Sequence, residues 1–121
     1  MKVILAETAG FCYGVERAVK LAQETAKARG GAMLGSIVHN AGVVRGIEEL
    51  GMRLITSPEQ ARAGETVLIR AHGERKETLE QLQDRGAEIV SAVCPHVERI
   101  RTLARSAEDQ GRRVVLIGER N

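Results

Sequence analysis

Aromatic side chains are nearly missing from this chain of 121 residues, which has one phenylalanine, one tyrosine and no tryptophan. That scarcity argues against a surface that stacks nucleobases on rings. No apolar run reaches the roughly 18 residues of a membrane helix, so no membrane span is expected. A dominant charge is lacking too: 18 basic and 16 acidic residues leave a formal charge of +2, too small to imply a polyanionic partner. Basic residues alternate with acidic ones, as in Glu74-Arg75-Lys76-Glu77, the pattern of a solvated face. The first residues carry one lysine and then a short strand-like run, without the anatomy of a signal peptide. With only two cysteines, the expectation is a cytoplasmic protein with free thiols rather than a disulfide. The motifs CxxC, HExxH, GxGxxG and GxxxxGK[ST] and an acidic calcium loop are all absent.

What is present is a regular alternation along the whole length. Apolar runs rich in valine and isoleucine predict strands at Val3–Ala6, Met33–Val38, Met52–Ile55, Thr66–Ile69, Glu88–Val93 and Arg113–Ile117. Between them, helices are expected over Val15–Arg29, Gly42–Leu50, Glu74–Arg85 and Pro95–Gln110, with a short one from the Ser57-Pro58-Glu59 start to Gly64. In the first helix Val15, Ala18, Val19, Ala22 and Ala26 fall on one face. Such alternation means an α/β fold, a parallel sheet whose strands are joined by helical crossovers. Residues 1–121 are read as one domain, without linker or low-complexity segment. Its last strand, Val114-Val115-Leu116-Ile117-Gly118, should feed another loop and covering helix, but only Glu119-Arg120-Asn121 follow; the expectation is a truncated chain.

The strand-to-helix junctions carry the reactive side chains. Cys12 lies in Gly10-Phe11-Cys12-Tyr13-Gly14, His39 in Val38-His39-Asn40, His72 in Ala71-His72-Gly73, and Cys94 in Val93-Cys94-Pro95. Open α/β sheets bind ligands outside the carboxyl ends of their strands, so these four residues are expected to face one cleft. A following helix puts its positive end beside each cysteine, which favours thiolate, the form that serves both nucleophiles and metal ligands. The alternative is a pair of packed cysteines in tight turns. Imidazoles near helix starts suit phosphate oxygens. A tetrahedral zinc site from Cys12, Cys94, His39 and His72 is available by ligand count, although the scattered spacing speaks against it. His96 is left outside the site, Tyr13 is read as packing, and Arg70 as a residue that could help attract an anion.

These motifs, GFCYGVERAV at residues 10–19, then VHN, AHG and CP, resemble the 4-hydroxy-3-methylbut-2-enyl diphosphate reductase (LytB) family in their order and approximate spacing. The resemblance implies the last enzyme of the non-mevalonate isoprenoid pathway, built of three α/β domains around a [4Fe-4S] cluster held by three cysteines. It makes Cys12 and Cys94 two of the cluster ligands and His39 and His72 ligands of the substrate diphosphate. It also implies reductive removal of the substrate hydroxyl, giving isopentenyl and dimethylallyl diphosphate, with electrons from an external donor such as ferredoxin or flavodoxin. By the same resemblance the third cysteine and the glutamate of the proton relay lie beyond Asn121, so the chain alone should be inactive. The competing readings are a non-catalytic α/β module that binds a diphosphate or metal, and a structural domain with buried cysteines.

Overall fold

The computed structural model describes residues 1–117. Helix α1 (Tyr13–Arg29) precedes strand β1 (Gly31–Leu34); helix α2 (Ala41–Glu49) and strand β2 (Met52–Ile55) follow. After a single 3-10 turn (Pro58–Gln60) come β3 (Thr66–Ile69), α3 (Lys76–Asp84), β4 (Glu88–Ser91) and α4 (Pro95–Asp109). The four strands form one parallel sheet in the order β2-β1-β3-β4. The α/β class and the parallel pairing are therefore as the alternation implies.

Each face of the sheet has its own core, as period-two strands require. Met33 and Leu68 project to one side, where the alanines Ala18, Ala22 and Ala26 of α1 meet Val44 and Ile47 of α2. Spaced four residues apart, these small side chains let α1 lie close to the strands. Ala32, Leu34, Val67 and Ile69 project to the other side against Leu82 of α3 and Ala61. Helix α4 differs from the rest: none of its residues is buried.

Five sequence expectations are corrected. Val3–Ala6 is not a strand; Val3, Ile4 and Leu5 are exposed and lie beside no strand. Arg113–Ile117 is likewise not a strand, and Gly118 to Asn121 lie outside the described residues. An apolar run signals a demand for burial, but a strand also needs a backbone to pair with, and neither run finds one here. The expected helix from Ser57 to Gly64 shortens to one turn because the backbone becomes extended at Ala61, φ −72° and ψ 144°. The strands expected over Met33–Val38 and Glu88–Val93 end early, at Leu34 and Ser91, and leave their last residues to the site turns.

Candidate functional site

All four residues singled out in the sequence lie beyond the carboxyl ends of strands or at the start of a helix. His39 follows β1 and immediately precedes Asn40, the N-cap of α2, whose Oδ1 accepts the N–H groups of Gly42 at 3.1 Å and Val43 at 3.2 Å. Those amides are thereby occupied, so an anion here would depend on the imidazole more than on the helix end. His72 follows β3 in a turn closed by the Gly73 N–H donating to Arg70 O at 2.9 Å. His39 and His72 line one cleft of about 320 Å³ together with Phe11, Asn40 and Ala71. Burial on one side of the turn pushes the His72 imidazole below its ordinary value, and the positive field of Arg70, His39 and Arg101 adds to this against an opposing pull from Glu74. The ring is thus held towards its neutral form, one nitrogen donating and one accepting.

The cysteines occupy equivalent places. Cys12 is the N-cap of α1 and Cys94 the N-cap of α4; neither side chain caps its helix by hydrogen bonding, and both are free thiols. The two helix starts are in contact. A Cβ built on Gly14 would stand 2.6 Å from Cys94 Sγ, so the second residue of α1 must be glycine for this sulfur to fit. Arg17 Nη1 donates to Val93 O at 3.1 Å, and the rings of Tyr13 and His96 meet edge to face, 6.2 Å between centroids. Cys94 is joined in turn to the His72 turn, its N–H donating to Ala71 O at 2.7 Å. Cys94 is thus tied to the His72 turn through Ala71, and Phe11 of the cleft precedes Cys12 in sequence, but neither cysteine lines the cleft that holds the two histidines.

Among the described residues no group of three or more histidine, cysteine or acidic side chains converges as a metal site, so the four-ligand zinc arrangement is not assembled. Arg70, read from the sequence as a residue that could draw in an anion, is committed to Glu74, Nη2 to Oε1 at 2.6 Å, and its buried Nε has no partner. A larger depression of about 480 Å³ lies at the opposite, amino ends of the strands. It holds neither a cysteine nor a histidine, and its Arg29 is already paired with Glu88 at 2.8 Å. Sequence reasoning named Gly14 only as a glycine flanking Cys12, and missed the supporting roles of Arg17, Asn40 and Arg101. Only Asn40 left a local signal, an asparagine just before a helical pattern.

The model of the LytB protein family matches residues 3–121. This chain belongs to the LytB family. It is 40% identical over 121 residues to the 4-hydroxy-3-methylbut-2-enyl diphosphate reductase of Aquifex aeolicus, covering 98% of this chain and 42% of that protein. The enzyme of the same name from Caldanaerobacter subterraneus is 35% identical over 126 residues, covering 44% of its length. A solved structure of (E)-4-hydroxy-3-methyl-but-2-enyl diphosphate reductase, the terminal enzyme of the non-mevalonate pathway, superimposes with a TM-score of 0.85 at 40% identity. The superposition covers 98% of this LytB chain and 43% of that one. The Plasmodium falciparum reductase structure, 24% identical with a TM-score of 0.80 over 86% of this chain, shows the shared fold. The LytB chain described here thus spans less than half the length of the curated relatives it matches.

Proposed function

We propose that this LytB chain forms part of a 4-hydroxy-3-methylbut-2-enyl diphosphate reductase, to which it contributes Cys12 and Cys94 as cluster ligands and His39 and His72 as diphosphate ligands. One observation carries the reading: the Cys94 sulfur packs on Gly14, two residues after Cys12 at the start of α1, while His39 and His72 share a cleft with Phe11. The donor set fits a [4Fe-4S] cluster as far as this chain goes. Both sulfurs are uncommitted, and such clusters are held by thiolates. The chain contains these two cysteines and no third, so the family's three-cysteine ligation needs a residue from outside it.

When bound, the cluster supplies electrons and an open iron that acts as a Lewis acid towards the substrate hydroxyl. The chain's own residues bind and orient. His39 and His72 hold phosphate oxygens through ring N–H groups, and the apolar side of the cleft, Phe11, Val15, Ile37 and Val38, receives the carbon chain. Fixing the diphosphate at one end positions the hydroxyl-bearing carbon at the other, towards the cysteines. The overall conversion takes up two electrons and two protons and releases the hydroxyl as water, giving isopentenyl and dimethylallyl diphosphate. The electrons come from an external donor of the ferredoxin or flavodoxin type, and the setting is the cytoplasm.

The test is a chimera in which this sequence replaces the matching segment of the Aquifex aeolicus relative. Reductase activity and cluster absorbance are expected. Cys12→Ser or Cys94→Ser should abolish both, since a hydroxyl is a poor iron ligand. His39→Ala or His72→Ala should leave absorbance intact and weaken diphosphate binding about ten- to a hundredfold, the worth of one charge-assisted hydrogen bond. A folded chimera whose histidine variants lose iron while binding diphosphate normally would reverse the roles assigned here.

A further inference from the structure

We propose that Arg101 is a positioning residue for His72, fixing the turn that carries the imidazole to the helix that begins at Cys94. The proposal rests on the reading of His72 as a diphosphate ligand for its functional meaning, but its geometry stands apart from that reading. Three successive residues of the turn have their backbone fixed. Gly73 N–H closes the turn on Arg70 O at 2.9 Å, Cys94 N–H holds Ala71 O at 2.7 Å, and Arg101 Nη2 holds His72 O at 2.8 Å. The last two come from the start of α4 and from a position two turns further along it.

Gly73 explains how the guanidinium reaches its place. Its φ is +79°, and a Cβ there would lie 2.5 Å from Arg101 Nη1 and 2.7 Å from Nη2. The guanidinium thus lies over the bare Cα of the glycine, in space that any other residue would occupy. Core packing does not account for the arrangement, because α4 buries none of its residues. Arg101 is nevertheless half-buried, and its donor goes to a main-chain oxygen, so what it fixes is the path of the backbone. A ligand histidine on a turn needs such support, since a displacement of about 1 Å is enough to spoil a bound geometry.

The experiment uses this chain and its variants Arg101→Ala, Arg101→Lys, His72→Ala and the Arg101→Ala/His72→Ala pair, with inorganic diphosphate as the probe. In Arg101→Ala the Gly73 amide should exchange with solvent about tenfold faster or more, with little change in global melting, because local opening is freed while the core is untouched. Lysine should restore part of the protection, having one donor that can reach His72 O. Diphosphate affinity should fall roughly fivefold in Arg101→Ala, and the double variant should bind no worse than His72→Ala alone, since Arg101 acts through His72. Unchanged Gly73 exchange would overturn the proposal, and so would additive losses in the double variant, which would make Arg101 a direct ligand. If the unsubstituted chain bound no diphosphate, or if His72→Ala bound it as well as the parent, the functional reading would fail and the exchange rates alone would decide the role of Arg101.

Discussion

At the scale of single residues, Gly14 and His72 bear most directly on the chemistry. Alanine is ordinarily a better helix residue than glycine by about 1 kcal/mol, so Gly14→Ala in α1 would stabilise an uncrowded helix. Here the added methyl would lie 2.6 Å from Cys94 Sγ and 2.9 Å from its Cβ. We expect a net loss of about 1–3 kcal/mol from overpacking, read by urea denaturation. Combining it with Cys94→Ala should recover part of that loss; strict additivity would mean that the two positions do not touch. For His72 the sign of the pH effect follows from its direction of shift. Its imidazole is held below the ordinary value, first by burial and then by neighbouring cations. A bound diphosphate brings negative charge to the ring and favours the imidazolium, so binding should take up a proton. Diphosphate affinity should therefore rise as pH falls from about 8 towards 6, the region below which a free imidazole of ordinary value near 6.5 is already charged. Calorimetry in buffers of different ionisation enthalpy measures the uptake; none at all would remove His72 from the site. In the free protein the same shift makes a small contribution to stability that is complete above the unfolded value and lost as pH falls through the lowered folded one, discounted because the ring is exposed.

At the scale of elements, an ion pair joins β2 to the start of β3. Arg53 donates from Nε and Nη2 to the Glu65 carboxylate at distances of 2.9 to 3.2 Å, and the same carboxylate accepts the Arg62 N–H at 3.0 Å. Burial raises the tendency of Glu65 to hold a proton, but these hydrogen bonds outweigh it and the carboxyl titrates below its ordinary value. Its stabilising contribution is present above the unfolded carboxylate value near 4.3 and is lost as pH falls through the lower folded one. Glu65→Gln should cost about 1 kcal/mol at pH 7, a modest figure because Arg53 is 37% exposed, and less at pH 3. An equal loss at both pH values would show that the ionised form is not what matters.

The elements also show what could be read from the chain beforehand. The face of α1 with Ala18, Ala22 and Ala26, and the strands Met52–Ile55 and Thr66–Ile69, were legible because period and composition act locally. The placing of His39, His72 and Cys94 after strands, and of Cys12 and Cys94 at helix starts, followed from the alternation, while the strand expected before Cys12 does not form. Val3–Ala6 and Arg113–Ile117 misled for the converse reason: their residues prefer strands, but pairing depends on a partner that no local pattern names. The hydrogen bond from Arg101 to His72 O spans 29 positions, and the contact of Gly14 with Cys94 spans 80; such couplings have no period to detect.

At the scale of the whole molecule, the two sides of the chemistry contrast with a largely apolar exposed region. Ile100 and Leu103 of α4 are exposed by 59% and 60%, and Val115, Leu116 and Ile117 by 71% or more. Val114 and Leu116 line a shallow groove with Ala104 of α4, so these side chains are close to one another. Exposed apolar side chains in this number promote association in water. The chain should show concentration-dependent self-association in sedimentation, and Ile100→Glu with Leu103→Glu should suppress it without lowering the melting temperature, because neither side chain is buried. A monomer at all concentrations would mean that these groups cover one another in solution.

The strand order has a consequence for how evenly the site is held. His39 and His72 hang from β1 and β3, which have neighbours on both sides, while Cys94 hangs from β4, which has one among the described residues. Interior strands open only with the whole domain, whereas an edge strand frays at lower cost. The support of these residues is thus graded: the two histidines hang from inner strands, Cys94 from an edge strand, and Cys12 from the start of α1. An opening at β4 would loosen the His72 turn along with Cys94, since the Cys94 N–H holds Ala71 O and Arg101 holds His72 O, while His39 on β1 keeps its place.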